Sequence, residues 1–265
     1  MRLRLLLRAL GLLLTLWLGA VGPAAAQAAD GLRLDLNIPA QRLVVYDGER
    51  VLRTYPVSVG KPGHDTPTGE YTIDHAEWNP WWRPPAREWA KDKKITPPGP
   101  DNPMGRVKLF FAPLYFLHGT PEQGSIGTPA SHGCVRLLNR DAVALARLLH
   151  ERAQPTLAPA QIDALLKSGR TRQSRFGAPA RLVIRYQPVV VRGDTLTIYP
   201  DVYRYRAVHG EAVYQALLQA GYDAATIRPT EVKRVLERAR AAKGTWSVAL
   251  REAFGADLAQ APPPR

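Results

Sequence analysis

LYFLHGTPEQGSIGTPASHGCVR, residues 114 to 136, holds the only cysteine of a 265-residue chain. The stretch opens with β-prone residues that end in His118-Gly119-Thr120. It continues through a run rich in Gly, Pro and Ser, and closes on Ser131-His132-Gly133-Cys134-Val135-Arg136. This order predicts a strand stopping at His118, a loop over Thr120 to Ala130, and a sharp turn at Gly133 that presents the thiol.

An ordinary thiol titrates near 8.5, so only a few per cent is thiolate at neutral pH, and the thiolate is the attacking species. A base must therefore sit beside Cys134. His132 is two residues away, but the turn at Gly133 can carry it off the sulfur. His118 can arrive from a neighbouring strand and is the better base, its ring oriented by a backbone carbonyl such as that of Gly119. His132 is then expected to support the turn. Consecutive N–H groups of Gly133 and Cys134 can point at a developing oxyanion, and one such donor is typically worth about 2.7–4 kcal/mol of barrier. Arg136 can grip a substrate carboxylate in bidentate fashion, with Ser131 and Trp82 as further candidates for substrate contact. His64, His118, His132 and Cys134 also offer metal-type ligands, but no C-x-x-C or H-E-x-x-H pattern accompanies them, so neither metal nor cofactor is expected.

Upstream, Arg42 to Tyr46 and Val51 to Val59 flank an Asp47-Gly48 turn and predict a hairpin, and Thr66 to Ile73 enters another strand. From Trp78 to Pro103 the chain carries Trp78, Trp81, Trp82 and Trp89 among seven prolines. That density forbids a regular helix or central strand and predicts a structured aromatic flap over a groove. Val107 to Phe111 and Leu114 to His118 read as strands. Helices are expected over 140–152, with Asn139 as N-cap, and over 159–168, with Gly169 as the stop. Strand character over Arg181–Val191 and Thr195–Tyr199 predicts a pair that closes the sheet begun before residue 75. Helical patterns then occupy 211–220, 231–242 and 246–254, and the last residues are expected to be disordered.

The N-terminus has the three-part layout of a secretory leader: Arg2, Arg4 and Arg8, an apolar stretch from about Ala9 to Val21, and small residues around Ala24 to Ala29. Residues 1–26 are expected to be removed on export to the periplasm. A single cysteine cannot staple the exported chain. The formal charge of +13 favours an anionic partner, and export makes nucleic acid the least suitable one.

These residues resemble the L,D-transpeptidases with a YkuD-type catalytic domain. The likeness rests on His118-Gly119-Thr120 and Ser131-His132-Gly133-Cys134-Val135-Arg136, on Pro56 to Gly63 and Thr66 to Tyr71, and on Gly99-Pro100-Asp101-Asn102-Pro103-Met104-Gly105 before the strand pair. It implies a mainly β (α+β) fold: a β-sandwich catalytic domain over 31–206 with inserted helices, followed by a small helical C-terminal appendage over 207–265. It also implies a cysteine acyltransferase acting on peptidoglycan stem peptides, with Cys134 as nucleophile, His118 as base and the Gly119 carbonyl as its orienter. His132, Gly133 and Cys134 would surround the oxyanion. Transfer to a second stem would give a 3→3 crosslink and transfer to a lysine an anchored envelope lipoprotein, whereas water would make the protein an L,D-hydrolase. A non-catalytic murein-binding module is the alternative from another class. A sortase would place its arginine farther beyond the cysteine, and papain-like peptidases put Cys before His.

Overall fold

The computed structural model describes residues 32–152, 157–223 and 227–255. The expected leader and disordered end lie outside these residues. The chain begins with β1 (Leu32–Asn37), in which Leu32, Leu34 and Leu36 face inward and Arg33, Asp35 and Asn37 face outward, the two-residue period of a strand with one buried face. β1 pairs antiparallel with β2 (Arg42–Asp47), and β2 with β3 (Arg50–Pro56), turning at Gly48, which takes φ +56°. The hairpin is as expected.

β5 (Gly69–Trp78), β6 (Val107–Ala112) and β7 (Tyr115–Thr120) form an antiparallel run. β9 (Val135–Leu138) then adds to β7 in parallel. Two short strands, β4 (Val59–Gly60) and β8 (Pro129–Ser131), pair with each other beside this edge. α1 (Asn139–Arg152) buries Ala142, Leu145, Ala146 and Leu149 against the sheet. α2 (Pro159–Ser168) carries Pro159 in its first turn and ends at Gly169 in the left-handed region. The Asn139 carboxamide oxygen accepts from the backbone N–H of Arg106 at 3.0 Å, tying the start of α1 to the entry of β6.

The strand expected from 181 begins earlier, as β10 (Arg172–Arg185), with an irregularity between Arg175 and Ala180. β10 lies inside the sheet, parallel to β1 and antiparallel to β5, so that the strand order is β3-β2-β1-β10-β5-β6-β7-β9. The following pair, β11 (Val189–Arg192) and β12 (Thr195–Ile198), departs from expectation, because it does not close this sheet. The Asn37 carboxamide brackets Gln187, donating to its carbonyl at 2.8 Å and accepting from its N–H at 3.0 Å. Pro188 then offers no ladder donor. β11 and β12 instead join β13 (Trp246–Ala249) in a separate three-stranded sheet.

β13 also corrects the helix expected over 246–254. Trp246, Val248 and Leu250 alternate, while only Trp246 and Leu250 keep helical spacing, and the open edge of β12 selects the strand; α5 (Leu250–Phe254) follows. α3 (Gly210–Gln219) and α4 (Pro229–Ala241) cover the small sheet. Leu196, Ile198, Leu217, Val235, Val248 and Phe254 belong to this second hydrophobic core, distinct from the one beneath the eight-stranded sheet.

Trp78 ends β5 fully buried in the first core, with its indole N–H donating to Ser174 Oγ at 2.9 Å. It is thus a core residue and not part of the flap in which the sequence reading placed it. Adjacent leucines on α3 test the second core: Leu217 is fully buried and Leu218 is 53% exposed. In urea denaturation Leu217→Ala is expected to cost about 2–5 kcal/mol, and Leu218→Ala to stay within about 0.5 kcal/mol.

Candidate active site

The β7–β9 ladder places His118 directly opposite Arg136. Cys134 immediately precedes β9, two residues before Arg136, so alternation brings it to the same face of the sheet as His118. Both side chains line one cavity of about 990 Å³, whose wall also includes Trp81, Trp82, Trp89 and Arg136. The proline- and tryptophan-rich segment thus borders the cavity, held across by a bridge between Trp82 and Thr96 and by the Asn102 carboxamide, which donates to the Pro80 and Pro97 carbonyls at 2.9 Å.

His118 is 2% exposed, and its Nδ1 lies 2.7 Å from the Gly119 carbonyl oxygen. A carbonyl can only accept, so the proton sits on Nδ1 and the lone pair on Nε2. Burial, aided by the charges of Arg136 and Lys108, lowers its pKa to about 4 despite the Gly119 bond. Cys134 is half-buried, with Sγ 3.6 Å from the Leu114 carbonyl. Burial pushes its thiol up to about 11, opposed by a backbone hydrogen bond at Phe116 and by Arg136 and Lys108. At neutral pH the pair is therefore thiol and neutral imidazole, not thiolate and imidazolium.

Gly133 takes φ +110°, and a Cβ there would lie 2.7 Å from Tyr115 Cε1, so only glycine suits the turn. Its N–H does not point at an oxyanion as expected: it donates to Ser131 Oγ at 3.0 Å, and that hydroxyl donates in turn to the Cys134 carbonyl. Ser131, expected to contact substrate, lies in the cavity wall, is 1% exposed and braces the turn. His132 stacks on Trp89, with centroids 3.9 Å apart and planes 10° apart, and meets the His64 ring edge-on at 4.7 Å. Burial and the charges of Lys61, His64, Arg136 and Lys93 lower its pKa to about 4, so it is an uncharged link between turn and flap. Arg136 is paired with the exposed Glu122, Nη1 to Oε2 2.7 Å.

Thr66 carries no sequence signal that marks it for the site. Its hydroxyl donates to the Gly133 carbonyl at 2.9 Å and accepts from the Gly60 N–H at 2.9 Å, while its own N–H donates to the Tyr203 hydroxyl at 3.0 Å. Glu77 and Lys108, both in the cavity wall, were missed as well. A lysine in an otherwise apolar strand, on the half-buried face that it shares with Phe110, was the available signal for Lys108. Nothing local marks Tyr203. Among the described residues no three His, Cys, Asp or Glu side chains cluster as a metal site.

A thiol near 11 leaves about one part in ten thousand ionised at pH 7. Iodoacetamide alkylation of Cys134 is expected to be slower at pH 7 than that of a free thiol, with its rate still rising above pH 9; a plateau reached by pH 8 would contradict the buried thiol. A Cβ on Gly119 would meet Asn139 Oδ1 at 2.2 Å. Gly119→Ala must displace either the start of α1 or the carbonyl that orients His118, and is expected to lower thermal stability by about 1–3 kcal/mol, read in a melting experiment.

Residues 32–162 match the model of the YkuD L,D-transpeptidase catalytic domain. A probable L,D-transpeptidase of Salmonella typhimurium, ErfK/SrfK, is 36% identical over 115 residues, covering 40% of this chain and 37% of its own length. The probable L,D-transpeptidase YbiS of Escherichia coli strain K12 is 36% identical over 115 residues, 40% of this chain and 38% of its own. The aligned stretch thus spans little more than a third of either relative. Among solved structures, an L,D-transpeptidase from Mycobacterium smegmatis aligns over 58% of each chain at 18% identity, with a TM-score of 0.40. The match to the YkuD L,D-transpeptidase catalytic domain over residues 32–162 thus takes in the cysteine turn and the strand bearing His118.

Proposed function

We propose that the protein is a periplasmic L,D-transpeptidase: a cysteine acyltransferase that acts on peptidoglycan stem peptides. The observation that carries this reading is that His118 on β7 and Cys134 just before the parallel β9 line one cavity beneath an aromatic flap, within the segment that matches the family. The basic composition suits an acidic envelope polymer, and the N-terminal leader pattern supports export.

Because thiol and imidazole are both neutral at rest, the thiol proton passes to His118 Nε2 as the sulfur attacks the carbonyl of the third, L-centred residue of the stem. The imidazolium that forms is stabilised by the Gly119 carbonyl on Nδ1. With the Gly133 N–H engaged by Ser131, the N–H of Cys134 is left as the turn's donor to the oxyanion. Collapse breaks the bond to the terminal D-alanine, whose nitrogen takes the proton from His118, leaving a thioester on Cys134. An amine acceptor then gives its proton to His118 and its lone pair to the thioester carbonyl; the sulfur leaves and recovers the proton. A stem diaminopimelate amine as acceptor yields a 3→3 crosslink, and a lysine of an envelope lipoprotein yields an anchored protein. Arg136, exchanging Glu122 for a substrate carboxylate, and Trp82 in the flap would hold the stem.

A carbapenem places a strained carbonyl within reach of such a sulfur. Incubation with meropenem is expected to add the mass of one drug molecule, located at Cys134 by peptide mapping and lost in Cys134→Ala. His118→Ala should slow the acylation by about 10²–10⁴-fold, the usual worth of a general base. Binding to isolated sacculi without any acylation would instead favour a passive murein-binding module.

A further inference from the structure

Glu77 and Lys108 form an ion pair, Oε1 to Nζ 2.9 Å, with side chains only 14% and 12% exposed. Among the described residues it is the one ion pair whose members both line the cavity that contains Cys134. Lys108 lies directly across the β6–β7 ladder from His118. Its ammonium rests 5.2 Å from the Phe110 ring centroid and 5.1 Å from that of Phe116, close enough for cation–π attraction. The Gln173 amide donates to the second Glu77 oxygen at 3.3 Å. Both charges are therefore held in place. Arg136, on the other flank of His118, differs: its partner Glu122 is 62% exposed and stands outside the wall.

A largely buried Lys–Glu pair is poor value as mere wall. Desolvating the two ions costs about as much as their attraction returns, and apolar residues of similar volume serve stability as well or better. The pair also keeps unused capacity: an ammonium has three donors and a carboxylate about four lone-pair sites. A ligand that offered a single charge would have to compete with the existing partner. One that carries both charges side by side can meet both at once, because an α-amino acid holds its ammonium and carboxylate on one carbon, at a spacing similar to that of the pair itself. We propose that Glu77 and Lys108 form a subsite for a zwitterionic α-amino-acid head group, Glu77 accepting from its ammonium and Lys108 donating to its carboxylate, so that the four charges alternate around a ring.

This inference rests on the transpeptidase reading, in which the far end of a diaminopimelate side chain in the acyl donor carries such a head group and takes no part in the acylation. A lysine side chain carries the ammonium without the adjacent carboxylate. The test compares kcat/KM for D-alanine release from tetrapeptide stems with meso-diaminopimelate or L-lysine at the third position. The wild-type protein is expected to prefer the diaminopimelate stem by about tenfold or more. Lys108→Gln and Glu77→Gln should each bring that ratio to within about threefold of one. Lys108→Arg, which keeps the cation, should retain the preference and so separate lost charge from disturbed folding. A wild-type ratio near one, or a ratio that survives both glutamine variants, overturns the subsite. Failure of meropenem to acylate wild-type Cys134 would remove the transpeptidase reading and the proposal with it, which neither of those ratio results does.

Discussion

The parallel pairing of β7 with β9 is the constraint on which the site depends. Antiparallel neighbours can be joined by two residues, but parallel ones require a crossover, and here the crossover runs from Pro121 to Cys134. It is pinned along its length. β8 pairs with β4, Ser58 Oγ donates to the Thr128 carbonyl at 2.8 Å, and the Ser58 and Arg136 backbones exchange two hydrogen bonds of 2.9 Å. These contacts fix the register that sets His118 opposite Arg136. A slip of one residue would send Cys134 toward the core and Val135 into the cavity. The thiol is thus delivered by the sheet, with the turn at Gly133 aiming its last bond.

The electrostatics follow from that placement. Burial disfavours charge on both partners, lowering His118 and raising Cys134, while Arg136 and Lys108 act in the direction that favours thiolate and disfavours imidazolium. The neutral state is therefore the resting state, and charge separation occurs when the substrate carbonyl is present to receive it. The same shift bears on stability. The unfolded chain would protonate its histidines as pH falls through 6.5, whereas His118 and His132 resist until about 4. Between those values the unfolded state binds more protons, so folding stability declines as the solution is acidified across that window.

Much of this was legible in the sequence because the signals are local. Asp47-Gly48 sits between alternating runs, Asn139 opens and Gly169 closes the two helices, and the lone cysteine follows a glycine and precedes an arginine. What stayed hidden depends on partners far away in the chain. The position of β10 between β1 and β5 is set by which edges are free after two helices have passed, and no periodicity encodes that. Trp78 carries the same letters as its flap neighbours, and only Ser174 shows that its indole faces the core. Gly133 was expected to offer its N–H to substrate, a reading that overlooked the serine two residues earlier, whose hydroxyl takes that donor. The strand at Trp246 was concealed because alternation and helical spacing overlap in so short a run, and β12 settled the choice.

The segment that matches the family ends at residue 162, yet it cannot complete the sheet alone. β10 begins at Arg172 and fills the place between β1 and β5, so without it two long strands would face each other as unpaired edges. Beyond β10 the chain reaches back once more. Tyr203 packs in the first core and accepts from Thr66, the residue whose hydroxyl holds the Gly133 carbonyl, and the Tyr205 hydroxyl donates to Asp65. The loop that carries these tyrosines is tightly made. Arg204 and Arg206 adopt φ of +59° and +58°, a conformation that bulky residues rarely take. Asp201 sustains it by accepting from the N–H groups of Tyr205 at 3.1 Å and Ala207 at 3.0 Å and from the Tyr186 hydroxyl at 2.5 Å. β12 enters this loop and α3 leaves it, and both belong to the second core. The strain in the loop is thus held at its two ends by packing outside the matched segment, and through Thr66 that packing bears on the turn that carries the thiol.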